Sequence, residues 1–380
     1  MMLQIGTTTS SDPWAILLNL AFLIFLVVSM LYGTKIQAYR SLKVLEGALV
    51  KLEKWNLKCK NILVKKIQKL SQSTKTPKEI EAMLDEFMGF VEIMPTTLDP
   101  AGIVPKIDFL VDVRDERFKE ESQHLAPQAT REQQLSLENL IEASMAVDQI
   151  FKVVRHFMIL AKKTKSYILA MQVEMQMGLI MGMAKAYKDA AKAFDEASPI
   201  GDALGPMVAA YFIREVNGPE GAPAEEPVRE TSVQRVNFES REILVVRAKG
   251  PGGCVGKPGE LIKRLIDEEG EQVSRVIMVD AGLKLEGEKT GTVVTGVGAA
   301  IGGIGSEKYF IEEASTTKKI PVDAFICRES LEDAITTMKK AIAKAVPTIV
   351  NFIKETIRIR TAEGSKVILA GIGNTIGVGL

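Results

Sequence analysis

Nineteen consecutive positions, Trp14 to Tyr32, carry no charged residue. As a helix they span ~28 Å at ~1.5 Å per residue, close to the ~30 Å hydrocarbon core of a bilayer. Trp14 and Tyr32 stand at the two ends, where amphipathic rings favour the membrane interface. No Lys or Arg precedes the run, and it is too long for a signal-peptide core, so residues 1–33 are expected to be a retained transmembrane anchor. After the anchor the apolar pattern becomes helical. Leu42, Leu45, Leu49, Leu52, Asn56, Cys59 and Leu63 step alternately by three and four, a heptad seam with Asn56 at a core position. Such a seam serves either self-association or packing of the helix on its own domain.

The pattern stays helical as far as residue 216. Thr76-Pro77 starts a helix over 77–94. Pro95, Pro100 and Pro105 are expected to break the chain before a helix over Ile107–Phe118. Leu137, Leu140, Ser144, Val147, Phe151, Val154, Met158 and Ala161 again step by three and four. A partner helix, Ser166–Ala197, holds Met171, Met175, Met177, Met181 and Met183, read as core or as a seam between protomers. Gly201–Ile213 is a short apolar helix or buried segment. Residues 217–229, rich in Pro, Gly and Glu, are read as a linker.

From residue 230 to 380 strand-length apolar runs alternate with helical ones. The strands are Glu242–Ala248, Val273–Asp280, Val322–Arg328 and Lys366–Ala370. The helices are Pro258–Glu269, Ser306–Thr317, Ser330–Ala345 and Pro347–Arg360. The expected fold class is therefore α+α/β: an N-terminal transmembrane helix, a helical, coiled-coil-like region over 34–216, and a C-terminal, mostly parallel α/β domain.

Parallel sheets bind ligands outside the carboxyl ends of their strands. Here those ends carry Gly250, Gly252, Gly253, Cys254, Gly256 and Lys257; then Asp280, Lys284, Glu286 and Glu288; then Arg328 and Glu329; then Gly371, Gly373 and Asn374. The first loop approaches a phosphate-binding P-loop, because glycine amides and a following helix N-terminus favour an anion. Gly252 and Gly256 are separated by three residues rather than four, and Pro258 stands where Ser or Thr is required, which disfavours a Walker-type NTPase. A phosphate or nucleotide cradle and a tight strand-to-helix turn remain as alternatives. Asp280, Glu286 and Glu288 are candidate ligands for Mg²⁺ against a phosphorylated molecule; as solvent-facing loop acids they have no such role. Cys254, in a basic glycine loop at a helix start, is a candidate low-pKa thiol, with no histidine in the domain to act as its base. Thr292–Gly305, uncharged and glycine-rich, is read as a buried segment or a flap over the crevice.

Charge sets the topology. Basic and acidic residues balance at 48 each, but residues 34–75 hold eleven Lys or Arg against Glu46 and Glu53. Lys35, Arg40 and Lys43 flank the anchor on its C-terminal side, so the positive-inside rule places the bulk of a single-pass cell-membrane protein in the cytoplasm and its N-terminus outside. The same three residues are candidates for anionic headgroups of the lipid bilayer. Nucleic acid is disfavoured, because aromatic residues do not interleave with the basic ones. Three dispersed cysteines imply no disulfide framework. Expected partners beyond the bilayer are a phosphorylated small molecule and a second copy of the chain, through helices 34–75 and 131–197.

The phrases KGPGGCVGKPGE (249–260), VDAGLKLEGEKTG (279–291), GVGAAIGGIGSEKYFIEE (296–313) and AGIGNTIGVG (370–379) resemble a family of archaeal membrane-anchored proteins of unknown function. The resemblance covers nearly the whole chain and implies an archaeal source without an activity. Residues 366–374, KVILAGIGN, look like the opening strand and glycine turn of hydrogenase-maturation peptidases, whose following acidic residues are absent. Residues 321–335 look faintly like the end of diadenylate cyclase domains, whose Arg-His-Arg motif has no counterpart here. The leading expectation is a membrane-tethered sensor or scaffold whose α/β domain binds a phosphorylated or nucleotide ligand. The alternatives are a metal-assisted phosphoryl-transfer or hydrolytic enzyme and a purely structural membrane-bound oligomer.

Overall fold

A computed structural model describes residues 13–71, 76–96, 102–218, 220–303 and 305–379, with the backbone alone for Leu31 and Thr34. Lys75 and Pro100 lie outside the described residues. Helix α1 (Pro13–Ser71) is continuous over 59 residues, so the apolar run passes into the basic stretch without a break. Its window Pro13–Met30 has a mean hydropathy of 2.3, and none of it is covered by the rest of the chain. A membrane span or a signal sequence has this composition.

Helices α2 (Pro77–Phe87), α3 (Ile103–Leu125), α4 (Arg131–Thr164) and α5 (Tyr167–Asp195) follow. The start of α2 is fixed by a capping box, in which Thr76 accepts from the Glu79 amide and its own amide donates to the Glu79 carboxylate. Pro105 does not break the chain. It falls in the first turn of α3, where the missing N–H costs nothing.

The chain forms two compact units. In the first, Met1–Lys54 with Gln149–Met181, the buried positions Leu45, Ala48, Leu49 and Leu52 fall in the same unit as Val154, Ala161, Ala170 and Met177. Ser41 donates to Glu174 at 2.5 Å and Lys162 pairs with Glu46 at 2.6 Å. Of the methionines, Met177 is buried while Met175 is exposed. In the second unit, Cys59, Leu63, Val64 and Ile67 join α2, α3, the start of α4 and the end of α5 in one core. Asn56 Nδ2 donates to Asp148 Oδ1 at 2.7 Å within it. The heptad seam is thus buried inside the chain.

The second unit also holds a seven-stranded sheet. Helix α6 (Leu204–Asn217) leads to β1 (Ala224–Val228), β2 (Thr231–Phe238) and β3 (Arg241–Ala248). Then come α7 (Pro258–Glu269), β4 (Val273–Leu283), β5 (Thr292–Val297), α8 (Ser306–Lys318), β6 (Val322–Glu329), α9 (Leu331–Ile335), α10 (Lys340–Arg360) and β7 (Lys366–Gly371). The strand order is β1-β2-β3-β7-β4-β6-β5. Alternation serves both faces: Ile277 and Val279 of β4 pack under α6 and α10, while Val276 and Met278 pack under α7 and α8.

The expected mostly parallel sheet is corrected to a mixed one. Only β3–β7, β7–β4 and β4–β6 are parallel; β1–β2, β2–β3 and β5–β6 are antiparallel. The β2–β3 hairpin turns through Glu239 and Ser240, both at positive φ, as a two-residue primed turn requires. Asn-Gly, the usual signal for that turn, is missing. Part of the expected linker forms β1, and the expected glycine flap begins as edge strand β5. Helix α6, assigned above to the helical region, packs on the sheet because Leu204, Val208, Phe212 and Ile213 belong to its core. The expected helix 330–345 is interrupted after Ile335, because Thr337 pairs with Ile200 and Met338 donates to the Pro199 carbonyl. Pro347 lies inside α10 rather than at its start.

Candidate functional site

The four parallel strands end on one edge, and there the chain gathers acids. Helix α6 is preceded by a tight turn, Gly201–Ala203. Gly205 has no room for a side chain: a Cβ would lie 2.6 Å from the Val279 carbonyl and from the Ile372 amide. This close approach brings Asp202 to the ends of β4 and β7, where its Oδ2 accepts the Asn374 amide at 2.8 Å. Asp280 of β4 and Glu329 at the end of β6 lie close enough to share electrostatic influence with it.

Burial pushes all three carboxyl groups up. Asp202 rises through desolvation, offset in part by the Asn374 amide. Asp280 rises to about 8, through burial and then the Asp202 charge. Glu329 rises to about 8 through burial, then Asp202 and Asp333. Glu329 is only 1% exposed and neither of its carboxylate oxygens has a hydrogen-bond partner. Among the described residues, no Lys, Arg or His forms an ion pair with any of the three. Neighbouring Asp333 shows the contrast: burial pushes it up, but Lys339 at 2.6 Å and Thr290 at 2.9 Å outweigh that and hold it low.

Asp202 and Asn374 also line a cavity of about 630 Å³. Its walls include Phe90, Phe118, Tyr187 and Phe194 from the helices, with Leu331 and Ile335 from α9. Its other charged lining groups are Glu92, Arg114 and Glu142. Arg114 pairs with Glu142 and lies 3.9 Å from Glu92 and 3.7 Å from Asp115. Its guanidinium also sits 5.2 Å over the Phe118 ring. Burial pushes Glu142 up despite that pairing. Asn139 and Asn374 are joined by a 2.9 Å side-chain bond, and both donate to the Gly253 carbonyl, so α4, the glycine loop and the end of β7 are locked together behind the cavity.

The glycine loop packs closely on its neighbours. Gly250 lies against the Val378 carbonyl, and Gly252 against Leu135 and Glu132 of α4. Gly253 and Gly256 take positive φ, and Gly256 abuts Thr231. The Lys257 amide donates to Thr231 Oγ1 at 2.6 Å, and its ammonium pairs with Asp112 of α3 at 2.7 Å. The N-terminus of α7 is already capped by a carboxyl group from the chain itself, because the Gly259 and Glu260 amides donate to Glu307 Oε2 at 2.6 and 3.3 Å. Cys254 is not an activated thiol: burial pushes it up to about 11, and its Sγ lies 3.0 Å from the Lys249 carbonyl.

Of the remaining expected residues, Gly371, Gly373 and Asn374 reach the acid cluster. A Gly371 Cβ would press on Ala209, and Gly373 abuts Asp202. Lys284, Glu286 and Glu288 stand on a turn beyond β4, where Lys284 donates to the Glu288 carbonyl and Glu288 accepts the Leu285 amide. Among the described residues no three His, Cys, Asp or Glu side chains gather to hold a metal ion, so the Asp280–Glu286–Glu288 set is not assembled. Lys35, Arg40 and Lys43 are exposed on α1 just after its apolar run.

Sequence reasoning missed Asp202, Asn139, Arg114 and Glu142, and noted Glu329 only as a strand-end polar residue. A usable signal was GDALG (201–205), an acid between two glycines at a helix start. No curated protein and no solved structure matches the chain. A family model described as the N-terminal domain of a protein of unknown function (DUF1512) matches residues 19–197. A second, described as the DUF1512 C-terminal domain of unknown function, matches residues 200–379. Together the two matches cover nearly the whole chain, in the order N-terminal then C-terminal domain, and the chain belongs to the DUF1512 family.

Proposed function

We propose that this is a single-pass membrane protein, with its N-terminus outside and its bulk in the cytoplasm, whose second unit binds a small molecule and so acts as a tethered sensor. The observation that carries this reading is the 630 Å³ cavity beside the carboxyl ends of β6 and β7, lined by Asn374, Leu331 and Ile335, with Asp202 on its wall and the unpartnered Glu329 carboxyl group nearby. Its size is that of a small-molecule site, and aromatic walls with few polar groups are the usual lining. The basic residues after the apolar run of α1 support the orientation.

The phosphorylated or nucleotide ligand expected from the glycine loop has less support, since the α7 N-terminus is filled by Glu307 and the cavity lining carries three carboxylates to one guanidinium. The structural-oligomer alternative loses the support of the α1 seam, which is used inside the chain, and keeps that of α5, where Met175 and Leu179 are exposed. An acid–base enzyme has one observation in its favour: Asp280 and Glu329 titrate near neutrality. Neither lines the cavity, so a binding role leads.

Native mass spectrometry of the full chain released from detergent micelles tests the reading. A retained small molecule is expected, lost when Ala146→Phe fills the cavity. Absence of any bound molecule, together with no thermal stabilisation of the wild-type chain by a metabolite library, would overturn it.

A further inference from the structure

We propose that the cavity takes an organic cation, with a primary ammonium or guanidinium group set against Asp202 and an apolar body along Phe90, Phe118 and Tyr187. This deepens the small-molecule reading above and rests on it.

Charge is the first ground. The lining holds Glu92, Glu142 and Asp202 against Arg114 alone, and Arg114 is already engaged by Glu142, Glu92 and Asp115. Asp202 receives one backbone hydrogen bond and no ion pair among the described residues. Immediately behind it, Glu329 is wedged against Gly201, almost fully buried, with both oxygens unpartnered. Asp280 adds a third carboxyl group without a cation. Buried carboxylates left in this state are costly unless protonated or matched by positive charge. Asp280 and Glu329, raised to about 8, stay largely protonated near neutral pH, so the carboxylate that a ligand cation would match is Asp202, which has no ion pair among the described residues.

The second ground is the wall. Phe118 already accepts a guanidinium over its face at 5.2 Å, and aromatic faces attract cations generally. The third separates an organic cation from a metal. Only Asp202 of the three acids reaches the cavity, and among the described residues no set of three ligating side chains exists to hold an ion. An ammonium or guanidinium needs only one carboxylate and a face to lie on.

The test uses the full chain in detergent micelles and isothermal titration with defined probes: phenethylamine and agmatine, their uncharged or acidic counterparts 2-phenylethanol and phenylpropionate, and MgCl₂ and phosphate alone. Phenethylamine is expected to bind at least tenfold tighter than 2-phenylethanol, and phenylpropionate more weakly than either. Asp202→Asn, which keeps an acceptor for the Asn374 amide, should remove the amine preference, so that phenethylamine and 2-phenylethanol bind alike. Ala146→Phe should abolish both. Equal binding of amine, alcohol and acid, insensitive to Asp202→Asn but blocked by Ala146→Phe, overturns the cation and leaves the small-molecule site standing. Stabilisation by MgCl₂ or phosphate alone, dependent on Asp202, also overturns it. Binding of none of the probes overturns the cation, and with an empty native mass spectrum it removes the site as well.

Discussion

Replacing Glu329 by Gln should make the protein less sensitive to pH, and the structure fixes the direction. The carboxyl group is buried, has no hydrogen-bond donor, and faces Asp202, Asp280 and Asp333. In the folded chain it titrates at about 8, against an ordinary value of 4.5. A group raised on folding contributes its full stability below the unfolded value and loses it as pH rises through the folded value. The window for Glu329 is therefore pH 4.5 to about 8. At ~1.36 kcal/mol per pH unit, crossing it costs roughly 5 kcal/mol. That is an upper bound, because part of the effect is shared with Asp202 and Asp280. The amide of Glu329→Gln is uncharged throughout, keeps the shape, and can donate to the neighbouring carboxylates. The variant should match the wild type near pH 5 and exceed it by several kcal/mol at pH 8–9. At roughly 2 °C per kcal/mol for a chain of this size, that is a rise of about 5–10 °C in Tm. The assay is thermal denaturation of the full chain in detergent, followed by circular dichroism at one-unit steps from pH 5 to 9. Parallel curves for wild type and variant would falsify the claim that Glu329 is held without a cationic partner.

Three further outcomes follow from packing. Gly205→Ala should lose folded protein, with a cost above about 3 kcal/mol, because its Cβ meets rigid backbone at Val279 and Ile372; urea denaturation reads it. Asn56→Leu should destabilise by about 1–3 kcal/mol through loss of the buried bond to Asp148, with the oligomeric state by light scattering unchanged, since that seam is internal. Arg247→Met should be neutral or stabilising by about 1–4 kcal/mol, because Arg247 is 3% exposed, forms no ion pair among the described residues, and its Nε and one terminal nitrogen have no partner. A loss of stability there would refute the reading that its buried charge is uncompensated.

The sequence by itself determined the parts that depend on local order. Nineteen uncharged residues, three-and-four stepping along α1 and α4, Pro258 at the start of α7, and the β-branched runs of β3, β4, β6 and β7 each state their own conformation, because helical and extended periods are written into adjacent positions. Conditional elements were not legible. Strand β2 (TSVQRVNF) and the polar β1 (AEEPV) become strands only by pairing, and Glu239-Ser240 turns without the usual residues because the hairpin holds it. The candidate site divides in the same way. Gly371, Gly373, Asn374 and Asp280 were legible as candidates because they lie near or just beyond the carboxyl ends of recognisable parallel strands. Asp202 and Asn139 were not, because their place depends on contacts across 172 and 235 positions with Asn374. The glycine loop shows what composition leaves open: glycine signals that something comes close, and α4, Thr231 and the C-terminal segment all do so here. Tertiary structure alone decided that the α7 N-terminus receives Glu307 and that the three acids stand without a cation among the described residues, because both depend on which distant groups the fold brings within a few ångströms.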